Sequence, residues 1–205
     1  MRQSDDGPTG ALCGDCFCSM MRHFLLFFLL LLGFSSCQEE SERSYARHHA
    51  FLRFQPVVAA PPLYRAVSNA GHWCTLTYDH RYYTIAAPGQ ASVNFPITAL
   101  AAYGAPRSIA GFIVGIPQLP DVQGQYLPRA YDLVCPSCYE STFIAHSLIL
   151  APVGSDRARC PSCRREYDLA TGAPVSAPND GQKNPYLYRY RCNYSSGHNV
   201  LVVQN

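Results

Sequence analysis

The chain has 205 residues, 15% of them charged, and its 16 basic and 14 acidic side chains leave a formal net charge of +2. That length holds one ordinary domain with tails or two very small ones, and so near-neutral a balance excludes nucleic-acid binding by bulk basic charge and an acidic disordered chain. Ten cysteines are many for an ordinary enzyme and few for a dense disulfide scaffold, while Gly 14, Pro 16 and Tyr 14 favour turns and short strands over long helices.

The first element is an address. Phe24 to Leu32 reads FLLFFLLLL, nine apolar residues in a row, with Arg22 and His23 before it and Gly33-Phe34-Ser35-Ser36-Cys37 after it. A transmembrane helix needs about 20 such residues, so the run suits the apolar core of a secretory signal better than a span or a buried helix. The small residues ahead of Cys37 resemble the lipobox of bacterial lipoproteins, with Phe34 where leucine is usual. The resemblance implies cleavage before Cys37, lipidation of Cys37, and an envelope protein held to the membrane, facing the periplasm or on the outer membrane. Residues 1–20 carry Asp5, Asp6, Asp15 and a patch of Cys13, Cys16 and Cys18. Signals begin short and basic, so the expected start is Met20 or Met21. Residues 1–20 are then a leader outside the natural product, and 21–36 the signal peptide.

Residues 37–62 are polar, then proline-containing, and read as a tether leading into a first strand. Trp73 to Tyr78 and Tyr82 to Ala86 flank Asp79-His80-Arg81 and predict a hairpin, with Pro88-Gly89 as the next turn. Ile97 to Tyr103 predicts a short irregular or helical piece. Gly111 to Ile116 predicts a buried strand, Leu127 to Val134 and Thr142 to Leu150 further strands, Tyr186 to Cys192 an alternating one, and Val200 to Val203 the last. Short strands with regular turn signals predict an antiparallel all-β fold.

Cys135-Pro136-Ser137-Cys138 and Cys160-Pro161-Ser162-Cys163 form two C-x2-C pairs separated by 21 residues. Two thiolates two residues apart can face one centre, the proline stiffens the turn, and four sulfurs close a tetrahedral metal site. A closed site keeps no position for substrate water, which disfavours catalysis by a bound zinc. The same thiolates suit iron, singly or as a cluster. Two disulfides are the bland alternative in an oxidising envelope. A redox dithiol would want a helix start in a βαβ setting, which neither pair has. Arg157, Arg159, Arg164 and Arg165 either offset the thiolate charge or form a solvated loop.

After the second pair comes Arg164-Arg165-Glu166-Tyr167-Asp168-Leu169-Ala170-Thr171-Gly172-Ala173-Pro174. This resembles the second cluster-binding box of Rieske proteins, in which a C-x2-H pair precedes an aromatic-Asp strand and a Thr-Gly turn. Tyr131-Asp132-Leu133-Val134-Cys135-Pro136 is similar to the strand that leads into the first Rieske box, and Tyr188-Arg189-Tyr190 with Val200-Leu201-Val202-Val203 to the strands that close the Rieske base. The outline also resembles small Rieske-like lipoproteins of Bacteroidetes-type bacteria. The resemblance spans roughly residues 64–205 and is most specific over 160–178. It implies a Rieske-like antiparallel β-sandwich base over 63–205, with a four-cysteine, rubredoxin- or zinc-ribbon-like metal subdomain over about 131–178. It departs where the family has its histidines: Cys138 and Cys163 stand there instead. An all-thiolate [2Fe–2S] centre would have a much lower potential than a Rieske centre, and a zinc would have no redox role. Zinc is the favoured metal and [2Fe–2S] the alternative. His146 could substitute as a ligand or be an ordinary strand histidine. In a Rieske-like base the early and late strands lie close, which implies either a Cys74–Cys192 disulfide or two separate buried thiols. The aromatic set from Trp73 to Tyr190 reads as strand packing.

Two functions follow. One is a lipid-anchored, non-catalytic binding or structural module stapled by zinc, with an envelope-protein partner. The other is an electron-transfer protein whose partner is another membrane-associated redox protein. Paired carboxylates, a nucleophile elbow and a phosphate loop are missing from the sequence, which argues against an enzyme; Asp168 reads as a turn residue. The sequence leaves the oligomeric state open.

Overall fold

Strands form where the side chains alternate. The computed structural model describes residues 45–97, 104–176 and 185–205, within a folded unit spanning Ser44–Asn205. β2 (His72–Tyr78) and β3 (Tyr82–Ala86) make the expected hairpin. Asp79 fixes its turn by accepting the N–H groups of Arg81 and Tyr82 at 2.6 and 2.7 Å. β5 (Phe112–Ile116) is buried along its whole length. β6 (Arg129–Asp132), β11 (Arg189–Ser195) and β12 (Val200–Gln204) fall on the remaining alternating runs.

With β1 (Phe51–Phe54) and β4 (Val93–Pro96) these strands build one eight-stranded antiparallel sheet, ordered β1-β12-β11-β6-β5-β2-β3-β4. The sheet curls until its outer strands face each other. Phe54 of β1 packs on Tyr83 and Phe95, with ring centroids 5.5 and 5.0 Å apart. The two facing layers expected of a sandwich are thus the limbs of one curled sheet. Its inner face buries Leu52, Phe54, Leu76, Ile85, Val114 and Val203.

The stretch ahead of residue 63, read as a tether and first strand, contributes more core than that. Leu52, Phe54, Val57 and Ala60 are fully or almost fully buried, in β1 and in a following 3-10 turn at Val57–Ala59 with its cap at Ala60. Helix α1 (Pro61–Ser68), unforeseen in the sequence, then plugs the sheet with Leu63, Ala66 and Val67. Prolines are tolerated in the first helical turn, and the three apolar residues share one helix face at spacings of three and four. Among the described residues, no helix is long and apolar enough to cross a membrane.

The second sheet is small: β7 (Ile149–Leu150), β8 (Arg157–Arg159), β9 (Glu166–Asp168) and β10 (Pro174–Ser176), ordered β10-β9-β8-β7. The strand expected over 142–150 reduces to β7, because helix α2 (Pro136–Thr142) occupies the chain up to its start. Phe143 ends that helix in the left-handed conformation, φ 57°, with Phe143 and Ile144 exposed. The small sheet packs on the outer face of the large one through Trp73, Ile113, Tyr131, Leu148, Tyr167 and Leu169.

Two aspartates fasten the layers. Asp156, just before β8, accepts the Trp73 indole N–H and the Gln118 backbone N–H, both at 2.7 Å. Asp132, buried at the end of β6, accepts four donors: the N–H groups of Ile109, Ala110 and Val134 and the Tyr190 hydroxyl, at 2.8 to 3.1 Å. Cys13, Cys16, Cys18, the apolar run 24–32, Cys37 and residues 98–103 of the piece expected over Ile97 to Tyr103 lie outside the described residues.

Candidate metal centre

Each cysteine pair is shaped by its own backbone. Cys135 precedes α2, and Pro136 takes the first helical position, where its missing N–H costs nothing. The Tyr139 N–H donates to the Cys135 carbonyl at 3.0 Å, so Cys138 comes round to the same side as Cys135. The strand–helix junction is pinned from behind: the Cys135 N–H donates to the His146 carbonyl at 2.8 Å, and Asp132 holds the Val134 N–H. The second pair sits in the turn between β8 and β9. There the Arg164 N–H donates to the Cys160 carbonyl at 3.0 Å, and the Cys160 N–H to the Arg165 carbonyl at 2.9 Å. Arg164 carries φ 62°, a left-handed position that glycine fills without strain.

These turns bring Cys135, Cys138, Cys160 and Cys163 together, with all four sulfurs within 4.8 Å of one another. Cys135 and Cys163 have their sulfurs 3.6 Å apart, and Cys138 and Cys160 3.7 Å. Neither distance is a disulfide, and all four cysteines are free. Metal–sulfur bonds of about 2.3 Å in a tetrahedron put the sulfurs about 3.8 Å apart. The group therefore has the size and donor set to hold a metal ion. Cys135 and Cys160 are fully buried, and Cys163 is the partly exposed member.

Burial pushes the Cys135 thiol well up, despite the Cys138 N–H and the Tyr167 hydroxyl, whose oxygen lies 3.6 Å from its sulfur. Burial and the neighbouring thiols push Cys138 to about 11. Burial also raises Cys163, but the Arg165 N–H, the Cys138 thiol and the Arg165 side chain outweigh it and bring Cys163 to about 7. Thiols this crowded resist ionising together, and a divalent cation supplies the charge that makes four thiolates tolerable.

Of the four nearby arginines, Arg165 reaches a sulfur, from an almost fully buried position. Arg157 and Arg159 instead pair with Asp168 and Glu166 across the small sheet, at 3.5 and 4.0 Å. His146 serves the site through its carbonyl, and the four sulfurs form the metal-capable group without its ring. Asp168 is a turn residue: its carboxylate accepts the N–H groups of Ala170 and Thr171, and Gly172 completes the turn at φ 78°.

Cys74 and Cys192 are free thiols, with no bond between them. Both face the inner core, on strands separated by β6 and β5 in the sheet order. Burial raises both thiols, Cys192 to about 12, and Cys74 is raised further by Cys192. Sequence reasoning offered Arg165 as one of four arginines that could offset the thiolate charge without singling it out, and it missed the roles of Asp132 and Asp156, because most of their partners lie far away along the chain.

Fold and site together define an all-β protein with a four-cysteine, metal-capable subdomain. No known family model matches the chain, and no curated protein matches it.

Proposed function

We propose that the protein is a lipid-anchored module of the bacterial envelope, related to Rieske proteins, in which Cys135, Cys138, Cys160 and Cys163 hold one structural zinc ion. The observation that carries the single-ion reading is the compactness of the sulfurs, all within 4.8 Å of one another. A two-iron cluster divides its thiolates between two metals, and sulfurs on opposite irons then stand more than about 5 Å apart. Zinc bound here supplies folding free energy. The region it serves is a sheet of two- and three-residue strands, too short to hold its shape by pairing alone. The anchor rests on the apolar run 24–32 and the small residues before Cys37, and the Rieske relation on the residues from Arg164 to Pro174. The role is non-catalytic, and the partner is another envelope protein.

The test is to purify the full-length chain in mild detergent and measure its metals and visible spectrum. A colourless protein with one zinc per chain supports the proposal. A brown protein with two irons per chain overturns it in favour of a [2Fe–2S] electron carrier. The anchor has its own test: Cys37→Ala should leave the membrane fraction, and its retention there would overturn lipidation at that residue.

A further inference from the structure

One connection in the large sheet is longer than its strands need. β5 and β6 are antiparallel neighbours, paired up to Gly115 and Arg129, and residues 117–128 link them. Links of this kind usually run about two to five residues. This one gathers four exposed large apolar side chains: Val122 is fully exposed, Leu119 is 75% exposed, and Tyr126 and Leu127 are 52% exposed. Its sole charged residue, Asp121, closes the tip on itself. The Asp121 N–H donates to the Gln125 carbonyl at 2.9 Å, and its Oδ1 accepts the N–H groups of Gln123 and Gln125 at 2.9 and 2.8 Å. Val122 is thus held out on a closed turn.

A second apolar tip stands at the same end. Val153, 49% exposed, lies in the turn between β7 and β8. The next residue, Gly154, donates its N–H to the Gly71 carbonyl, and Gly71 donates to the carbonyl of Ile116, at the root of the long link. Exposed apolar groups gathered in one place mark a contact surface, and tyrosine, with an apolar ring and a polar tip, suits the edge of a bilayer.

The chain ahead of the fold decides what covers this end. From Cys37 to Tyr45 it is about eight residues, which span at most about 29 Å when fully extended. Tyr45, Leu119 and Leu127 line one concave surface. A lipid on Cys37 therefore keeps the bilayer within reach of the link. So short a tether gives an effective concentration of about millimolar, which favours contacts too weak to form between free partners. β6, which leads towards Cys135, and β8, which leads into Cys160, both run away from this end and leave the metal centre clear of lipid.

We propose that the 117–128 link, with Val153 beside it, docks into the lipid interface of the membrane that carries the anchor. This docking rests on the reading of Cys37 as the lipidated residue.

The test uses the full-length chain purified from membranes and reconstituted into phosphatidylcholine vesicles with brominated acyl chains, which quench nearby indoles. Val122→Trp is the reporter. Tyr82→Trp is the control, because Tyr82 is exposed and lies past Tyr78, at the end of β2 opposite the His72–Ile116 pair. Trp73 is buried and adds the same background to both. The expected result is strong quenching of Val122→Trp and little of Tyr82→Trp. Adding Leu119→Asp to the reporter should abolish most of the quenching, because a carboxylate resists leaving water. Val122 and Leu119 are exposed, so both variants should keep the wild-type melting curve. A chain that floats with the vesicles while Val122→Trp is quenched no more than Tyr82→Trp overturns the docking alone. A chain that does not float with them overturns the anchor and the docking together.

Discussion

Gly115→Ala is the substitution that most directly probes how the two sheets are joined. Gly115 on β5 pairs with Trp73 on β2. A methyl group there would stand 2.4 Å from the His72 carbonyl oxygen and 2.5 Å from two carbons of the Trp73 ring. The first contact is with backbone, so the strands must separate or the indole must swing away. Overpacking of this kind costs about 1–3 kcal/mol. If the indole moves, its 2.7 Å bond to the Asp156 carboxylate goes with it, and a bond to a charged acceptor adds about 1.5–3 kcal/mol. The expected loss is about 4 kcal/mol, read by urea unfolding. In a domain of this size that lowers the melting temperature by about 10 °C. The chain has a single tryptophan, so its emission should shift to the red in the folded variant as the indole leaves its buried seat. Trp73→Phe supplies the cross-check: in that background Gly115→Ala should cost less, because part of the obstruction is gone. A Gly115→Ala variant within about 1 kcal/mol of wild type, with unshifted emission, would refute the reasoning about this contact.

Arg164→Gly should stabilise the metal-loaded protein by up to about 1 kcal/mol, since glycine occupies the left-handed position without a Cβ penalty; denaturant unfolding at unchanged metal content checks it. Chelation should remove several kcal/mol of stability and loosen the small sheet before the large one, which amide exchange resolved by residue would show in β7 to β10. For Asp132, burial raises the carboxyl above its ordinary 3.8 even though four donors hold it down. The folded state therefore keeps a proton that the unfolded chain releases. That contribution is fully present below 3.8 and is lost as pH rises through the folded value. Measured against non-titrating Asp132→Asn, wild type should gain stability as pH falls from neutral towards 3.8, and parallel pH profiles would count against a raised carboxyl.

The metal-capable group was legible because the chemistry dictates the spacing: a cysteine pair two residues apart is a local object, and two of them imply a shared centre. The hairpin from His72 to Ala86 was equally legible, since alternation and an Asp-led turn are also local. Helix α1 was not, because Pro61-Pro62 reads as a linker until the burial of Leu63, Ala66 and Val67 is known. The region from Phe143 to Leu150 misled in the opposite direction. Its apolar residues suggested a strand, yet Phe143, Ile144 and Ile149 are exposed, and α2 had used the chain before them. Asp132 and Asp156 carry no local pattern. Their roles arise from donors up to 58 and 83 residues away, which the fold alone brings together.

The sheet order carries a consequence for how the polypeptide matures. β12, the final strand, lies between β1 and β11 and pairs with both. Until Val200–Gln204 has been synthesised, the first strand has no neighbour on that side, and the curled sheet cannot close. The base thus stays open while β1 to β11 are made and closes only once β12 has joined β1 to β11. Deleting residues 196–205 would take out the stave between β1 and β11 and leave β1 without its strand partner. In the intact chain Asn205 then seals the seam, its side chain accepting the Ala50 N–H at 3.1 Å and donating to the His48 carbonyl at 2.6 Å.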